Sequence, residues 1–201
     1  MKPTIAPVTQ IAAHQRGFSL ITTLILLVVV TMLGVAASQM VLMSERTARF
    51  DRDSQIAFQA AEAALIDAEL DIQGPNTSGT QRMALFEAKS KINFVPDCGT
   101  GSLRGLCEAT LAPQKPAWFA VDFTDTSANA RTAQFGEFTG RTFPVGTTGI
   151  RPEIAPRYIV EVIPDPAVSA ATDDVLYRIT AMGFGPRKET QVVLQVVFRK
   201  L

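Results

Sequence analysis

The stretch that decides the fold begins Gly17-Phe18-Ser19-Leu20-Ile21-Thr22-Thr23-Leu24-Ile25-Leu26-Leu27-Val28-Val29-Val30 and continues to Ser44. It contains 28 consecutive residues without one charged side chain. A helix needs about 20 apolar residues to cross the hydrocarbon core of a bilayer. The stretch shows no apolar periodicity, so its helix would be apolar on every side, which suits lipid and not the surface of a soluble domain. We therefore expect a retained membrane helix.

An ordinary secretory signal peptide is the competing interpretation. Its apolar core would be only about 7–15 residues long and would end at a cleavage site with small residues. The segment Gly34-Val35-Ala36-Ala37-Ser38 could supply such a site, but the apolar stretch here is longer than that core.

The charges around the span leave its orientation open. Lys2 and Arg16 precede it, whereas Arg46, Arg49 and Arg52 follow it. The positive-inside count is therefore indecisive, but long domains translocate largely regardless of charge. Two cysteines in the domain after the span also favour an oxidising compartment. We expect the large domain to be exported.

The junction Arg16-Gly17-Phe18-Ser19-Leu20-Ile21 resembles the prepilin peptidase site of type IV pilins. The resemblance implies cleavage after Gly17, on the cytoplasmic side, and N-methylation of Phe18. The apolar helix would then be kept in the mature protein. Loss of the leader would remove Lys2 and Arg16 and leave 17 basic and 19 acidic side chains, which is close to neutral.

Thr22 departs from the pilin pattern, in which the fifth mature residue is usually Glu. In that family this Glu is thought to neutralise the N-terminal amine of a neighbouring subunit within the apolar filament core. A threonine cannot do so, although its hydroxyl can bond to a backbone carbonyl one turn earlier. The missing carboxylate argues against an abundant shaft subunit, because each copy in a shaft needs that pairing.

Two further segments narrow the resemblance to the PilX-type minor pilins. The first is residues 51–65, Asp51-Arg52-Asp53-Ser54-Gln55-Ile56-Ala57-Phe58-Gln59-Ala60-Ala61-Glu62-Ala63-Ala64-Leu65, which looks like their N-terminal signature. The second is residues 177–185 with Val192-Val193-Leu194-Gln195, which looks like their closing strands. Such proteins are low-abundance components thought to prime pilus assembly and to sit at the tip.

The exported part continues the helix and then changes character. Alanine-rich residues 45–71 favour helix, with one predicted apolar row at Ile56, Ala60, Ala63 and Leu70 and a second at Phe58, Ala61, Leu65 and Ala68. Gly74-Pro75 should end the helix. Residues 74–156 predict loops and insertions, with a helical turn or two at 83–90 and a possible short strand at 118–123.

Three strands are predicted near the C-terminus, at 158–163, 175–182 and 190–198, with a turn at 183–187. Their short connections favour antiparallel pairing. The predicted fold is thus α+β: the pilin ladle, a long N-terminal helix packed on a C-terminal antiparallel sheet with irregular loop insertions. The predicted segments are a leader at 1–17, a transmembrane or filament-core half-helix at 18–44, an amphipathic half-helix at 45–72 and a periplasmic globular domain at 73–201.

Cys98 and Cys107 enclose a loop with three glycines, and in an exported domain we expect them to form a disulfide. The loop could contribute to a subunit contact or simply stabilise the domain. Zinc binding is disfavoured because the only histidine is His14 and the spacing is wrong. A calcium site at Asp165, Asp173 and Asp174 is less probable than a solvated loop. We therefore predict no cofactor and no metal.

Catalysis and nucleic-acid binding have little support in this sequence. The only histidine lies in the predicted leader, so no Ser/His/Asp or Cys/His set can be assembled in the mature chain. The 19 basic and 19 acidic side chains balance, and the longest basic clusters are Arg187-Lys188 and Arg199-Lys200. A basic stripe for nucleic acid is therefore not found. We expect a protein that is not an enzyme.

Three functions remain in competition. The first is a minor pilin, single-pass in the bacterial inner membrane with its N-terminus cytoplasmic, which then enters the filament. The resemblance implies other minor pilins, the major pilin, the prepilin peptidase and the assembly platform as partners, and leaves a tip adhesin open. The second is a type II secretion pseudopilin. The third is a membrane-anchored periplasmic binding module without a filament role.

Overall fold

The computed structural model describes residues 18–87, 91–110, 113–164 and 175–200. The chain divides into two compact units, Met1–Ala48 and Arg49–Leu201. Within the first unit, the described residues belong to the helix α1, which spans Phe18–Gln73. Its residues 19–48 are exposed. No proline interrupts this part of the helix, so no sharp kink is expected.

In the second unit, α1 buries a stripe of small side chains on the sheet. Its apolar members are 0–1% exposed: Ala57, Ala60, Ala61, Ala64, Ala68 and Ile72. The helix ends where predicted, because Gly74 adopts a positive φ of 71° and its N–H bonds to the carbonyl of Leu70 at 2.7 Å. Only glycine takes that conformation without steric cost.

Of the two predicted rows, only Ala60, Ala61 and Ala68 belong to the buried stripe. Phe58 is 44% exposed, and Ile56, Ala63 and Leu70 are only partly buried. The reason lies in the partner strand: a Cβ placed on Gly183 would lie 2.0 Å from the carbonyl oxygen of Ala57. Helix and strand approach so closely there that the contact admits alanine and glycine but not larger side chains. Small residues therefore define the packed face beside Gly183, whereas the larger Ile72 is buried further along the helix.

The sheet has five strands: β1 (Leu106–Glu108), β2 (Ala133–Gln134), β3 (Arg157–Pro164), β4 (Val175–Phe184) and β5 (Gln191–Phe198). Their order is β1-β3-β4-β5, and β2 also pairs with β3. The pairs β3–β4 and β4–β5 are antiparallel, as predicted, with Val160 opposite Ile179 and Ala181 opposite Leu194. The parallel pairing of β1 with β3 was not predicted. The α+β prediction is confirmed.

The middle of the chain contains short elements. The helix α2 (Met83–Glu87) occupies part of the predicted 83–90 turn. The possible strand at 118–123 is wrong, because the structure has a helical turn, α3 (Ala117–Ala120), that follows Pro116. Proline suits the entry to a helix, and Trp118 with Phe119 supplied the misleading β-propensity.

Two apolar cores lie on the two faces of the sheet. The first joins α1 to the sheet and contains Ala64, Ala68, Ile72, Phe86, Tyr158, Val160, Tyr177, Ile179 and Ala181, among others. The second lies on the opposite face and contains Cys98, Cys107, Ala117, Phe123, Ile159 and Phe184. Side chains alternate between faces along a strand, so Tyr158 and Ile159 enter different cores. The loop residues Cys98, Ala117 and Phe123 therefore pack against the face of the sheet opposite α1 and form a core there.

Candidate assembly site

The exposed part of α1 is the largest apolar surface in the described chain. Leu20, Met32, Met40 and Met43 are 69–72% exposed, and the other large apolar residues between them are exposed as well. By length and composition this is a helix that could cross a membrane, and none of its most apolar window is buried. Soluble monomers rarely expose an apolar patch of this extent. This surface requires lipid, other helices or both.

The hydroxyl groups within this surface bond to their own helix. Thr22 Oγ1 donates to the carbonyl of Ser19 at 2.9 Å, and Thr23 does the same to Leu20 at 3.0 Å. Thr31 and Ser38 bond to the carbonyls three residues earlier at 2.8 Å. Such bonds satisfy the hydroxyl donors locally, so they cost little in an apolar environment.

Of the predicted processing residues, Gly17 lies outside the described residues and Phe18 is the first residue of α1. Thr22 follows Phe18 by four residues and therefore lies on the same side of the helix, one turn further along. Phe18 thus precedes Thr22 by one turn of α1, and cleavage after Gly17 with methylation of Phe18 stays a prediction.

A buried ion pair anchors the other end of α1 to the domain. Arg82 donates from Nη2 to Asp71 Oδ2 at 2.6 Å and from Nε to both carboxylate oxygens at 3.0–3.1 Å. The two side chains are 2% and 0% exposed. Tyr158 on β3 donates its hydroxyl to the same Asp71 oxygen at 2.9 Å. One carboxylate of the helix therefore joins the following loop to the sheet.

Arg82 also reaches the disulfide loop. Its Nη1 donates to the carbonyls of Ser102 and Arg104, at 3.1 and 2.6 Å, and its guanidinium lies 3.6 Å from the centroid of the Phe138 ring. Buried arginine needs its donors satisfied in this way. The pKa of Tyr158 is raised well above its usual value, first by burial and then by the nearby Asp71 charge. The phenol thus remains a hydrogen-bond donor.

Asp67, one turn before Asp71, holds a second loop. It accepts from the Gly136 N–H at 2.8 Å and from the Thr139 hydroxyl. Burial raises the pKa of this carboxyl, although both hydrogen bonds favour its charged form. The sequence prediction missed this cluster. Its signal was a pair of aspartates at i and i+4 on a helix face that is otherwise apolar.

The disulfide predicted between Cys98 and Cys107 is present, with a Cα–Cα distance of 4.1 Å. Both cysteines are at most 1% exposed and belong to the second core. Cys107 lies in β1, beside Glu161 of β3, so the bridge connects the 98–107 loop directly to the sheet. A buried position favours stabilisation of the loop over a direct contact of the disulfide with another subunit.

The opposite sheet face carries one further charged pair. Arg178 on β4 donates to the buried Glu161 on β3 at 2.8 and 2.9 Å, and these two residues are opposite each other in the register. The hydrogen bond to Glu161 raises the pKa of Arg178. This pair satisfies a carboxylate that would otherwise be costly to bury.

Neither a metal centre nor a catalytic set emerges from the described residues, which contain no group of three or more His, Cys, Asp or Glu side chains able to hold a metal ion. Asp165, Asp173 and Asp174, the residues of the calcium hypothesis, lie outside the described ranges, as does His14.

Taken together, an exposed, uncharged helix segment of membrane-spanning length and a separate α+β domain are consistent with a protein that has a single-pass membrane anchor. Comparison with family models identifies the family. The model for the N-terminal region of PilX matches residues 16–65. The model for the C-terminal region of the type IV pilus assembly protein PilX matches residues 93–200. The chain belongs to the PilX family of type IV pilus assembly proteins, which is a family of structural pilins. No match was found among curated proteins or among solved structures.

Proposed function

We propose that this protein is a minor pilin that primes assembly of the type IV pilus and lies at or near the filament tip. The observation that carries the proposal is the exposed helix surface after Phe18, which is free of charge to Ser44 and has Thr22 bonded to Ser19 where a shaft subunit needs a carboxylate. A subunit that starts a filament has no earlier copy whose amine it must neutralise.

The absence of a carboxylate also favours residence in the membrane before assembly. A charged carboxylate inside a bilayer is costly to insert, and the cost reaches about 2.5–3.5 kcal/mol at the centre on insertion scales; at position 22, four residues after the helix begins, it is below that maximum. Threonine avoids this cost because its hydroxyl is satisfied by the helix backbone. The proposed segments are a cleaved leader at 1–17, a membrane and filament-core half-helix at 18–44, a second half-helix at 45–72 and a periplasmic domain at 73–201.

The proposed topology is single-pass in the bacterial inner membrane, with the N-terminus in the cytoplasm. The proposed partners are other minor pilins, the major pilin, the prepilin peptidase and the assembly platform. The buried disulfide supports export, since structural disulfides persist in oxidising compartments.

Mass spectrometry of the mature protein tests processing. The expected N-terminus is N-methyl-phenylalanine at Phe18. A protein that retains Met1, or that is cleaved near residue 38 like a secretory protein, would refute the filament function. A Gly17→Leu variant provides the matched control, because a large side chain at the cut should leave the leader attached without altering the mature helix.

Piliation tests the role of Thr22. Deletion of the gene should leave few or no surface pili, and expression of Thr22→Ala should restore piliation to nearly the normal level. Thr23→Ala is the matched control, since Thr23 makes the same type of bond to its own helix. A severe loss in Thr22→Ala alone would show that the hydroxyl has an intermolecular role and would contradict the proposed start position.

A further inference from the structure

Gln39 carries the only side-chain carboxamide in the charge-free run from Gly17 to Ser44. Thr31 and Ser38, two hydroxyl side chains of the same run, bond to carbonyls of their own helix at 2.8 Å. The Gln39 side chain is exposed and makes no hydrogen bond to any residue that the structure describes. Its N–H donors and its carbonyl acceptor therefore face outward from an apolar helix.

Gln39 lies within the part of the helix that a bilayer would cover. It follows the midpoint of the charge-free run by about nine residues, which is roughly 13 Å along a helix. Half of the hydrocarbon core is about 15 Å thick. Side chains on a helix tilt toward its N-terminus, so the carboxamide lies back toward the midpoint of the run and not toward the nearer membrane surface. An amide without a partner is costly in that environment.

The side of α1 that carries Gln39 is otherwise formed by large apolar side chains. They recur at alternating steps of four and three residues, a spacing that returns to one side of a helix. These side chains are 42–69% exposed: Ile21, Ile25, Val28, Met32, Val35 and Leu42. Together with Gln39 they form the Gln39 face. Every side of this segment is apolar, so the spacing alone would select no face, and the carboxamide is what selects this one.

A shallow groove adjoins Gln39 on the same side of the helix. Its volume is about 320 Å³, and it is lined by Thr31, Met32, Val35, Ala36 and Gln39. Ala36 is the smallest of these residues, and its short side chain leaves room for a side chain from a facing helix. Apolar packing of this kind would lie directly beside the carboxamide.

A second copy of this chain matches the carboxamide. Two copies that insert the same helix in the same direction place their Gln39 residues at the same depth. Each carboxamide can then donate an N–H to the carbonyl oxygen of the other, and a polar residue at one position of such a repeat also fixes the register of the two helices. The pair brings no like charges together over residues 17–44. A different subunit offers this match only if its own helix has a suitable polar group at that depth, whereas a second copy always does.

We propose that the protein forms a parallel homodimer in the membrane, in which two α1 helices meet through their Gln39 faces and the Gln39 carboxamides exchange hydrogen bonds. The inference rests on the proposed function in one respect, the placement of residues 18–44 in a bilayer. The dimer covers the Gln39 face until a subunit enters the filament, where helices of other subunits replace the second copy.

Förster energy transfer between full chains in phosphatidylcholine vesicles tests the dimer. Each chain carries a donor or an acceptor dye on a cysteine added at its C-terminal end. Gln39→Leu keeps a similar volume but removes the amide, and it should weaken dimerisation about three- to twentyfold, the range of interhelical hydrogen bonds in membranes. Gln39→Asn retains an amide and should resemble the unaltered chain more than Gln39→Leu does. Ser38→Ala is the matched control, because the Ser38 hydroxyl is satisfied by Val35 of its own helix.

Two results of this measurement would overturn the proposal. One is a chain that stays monomeric at high density in the vesicles. The other is equal dimerisation of Gln39→Leu and the unaltered chain. Unchanged thermal unfolding of each variant, followed by the fluorescence of Trp118, shows that the domain is intact.

Disulfide crosslinking in inner membranes tests the face and the occupant. The chain has two cysteines, which are bonded to each other and buried, so one introduced cysteine is the only free thiol. Leu42→Cys lies on the Gln39 face and should give a dimer when oxidised by air with copper phenanthroline. Val41→Cys, about 200° around the helix from Gln39, should give little. Adding Gln39→Leu to Leu42→Cys should lower the yield.

Equal crosslinking from positions 41 and 42 would overturn the assigned face, and an adduct of position 42 with another protein in place of the dimer would overturn the choice of a second copy. Mass spectrometry of the N-terminus in the same membranes separates this inference from the proposed function. An unprocessed N-terminus would refute the proposed function and leave the dimer standing. A methylated Phe18 without a dimer would refute only the dimer.

Discussion

The contact between Arg82 and Asp71 gives the most demanding test of how the domain is held to its helix. Replacing Arg82 by Met keeps most of the side-chain volume but removes the positive charge and every donor. Asp71, at 0% exposure, would then retain only the Tyr158 hydroxyl, and the carbonyls of Ser102 and Arg104 would lose their partner.

Breaking a buried ion pair by removing one partner costs about 3–5 kcal/mol, because an uncompensated charge stays buried. The expected loss of unfolding free energy for Arg82→Met is therefore in that range, which is a large part of the ~5–15 kcal/mol that stabilises a typical domain. Replacing both partners, Arg82→Met with Asp71→Leu, should cost less than the sum of the single changes, since no lone charge remains.

The assay is denaturant unfolding of the full chain in detergent, followed by the fluorescence of Trp118, the only tryptophan. Trp118 packs against the second core, so its signal reports the domain rather than the membrane helix. Arg52→Met, at a side chain that is 54% exposed and paired with Asp53, is the control and should change stability by less than about 1 kcal/mol. A loss of unfolding free energy below about 1 kcal/mol for Arg82→Met would refute the stabilising role of the buried Arg82–Asp71 pair. Single changes that add up to the loss in the double variant would refute it as well.

Three further outcomes are expected. A Gly183→Ala variant should lose about 1–3 kcal/mol or more of unfolding free energy, because its Cβ would overlap backbone atoms of α1. The control Gly79→Ala should be nearly neutral, because the space around Gly79 is open. Equal losses of stability in the two variants would contradict the close packing of Gly183 on α1. Replacing Cys98 and Cys107 by serine should lower the free energy of unfolding by about 2.7 kcal/mol, according to the chain-entropy relation. The disulfide in the folded protein should resist a reductant until the protein unfolds. Rapid reduction of the folded protein would be inconsistent with the burial of both cysteines. The raised pKa of Asp67 means that the folded state binds a proton at this carboxyl more readily than the unfolded state does. The free energy of unfolding should therefore fall as the pH rises from the unfolded-state pKa of Asp67 through its folded-state pKa. Asp67→Asn should flatten this part of a plot of stability against pH, and an unchanged plot would exclude Asp67 as the source of the slope.

Much of the architecture follows from the sequence because it depends on local patterns. An uncharged run of 28 residues specifies a helix that avoids water, and Gly74-Pro75 ends its extension through a conformation that glycine provides. The three C-terminal strands are rich in β-branched residues and separated by turns, so their existence and antiparallel pairing were predictable. The disulfide followed from two cysteines around a glycine-rich loop.

The tertiary structure decided what depends on neighbours distant in sequence. Which face of α1 is buried was set by Gly183, whose lack of a side chain admits the helix backbone, and so the large residues predicted to pack remain partly exposed. The buried hydrogen-bonded cluster of Asp71, Arg82 and Tyr158 joins residues that are up to 87 positions apart in the sequence. No local sequence pattern predicts such a cluster. The parallel strand β1 and the terminal position of β5 in the described sheet likewise arise from the order of strands, which is a property of the whole sheet. The sequence by itself determined an apolar, uncharged segment over residues 17–44. Only the fold decided which face of residues 49–73 packs on the sheet and in what order the described strands pair, because burial and pairing depend on contacts between segments and not on any segment alone.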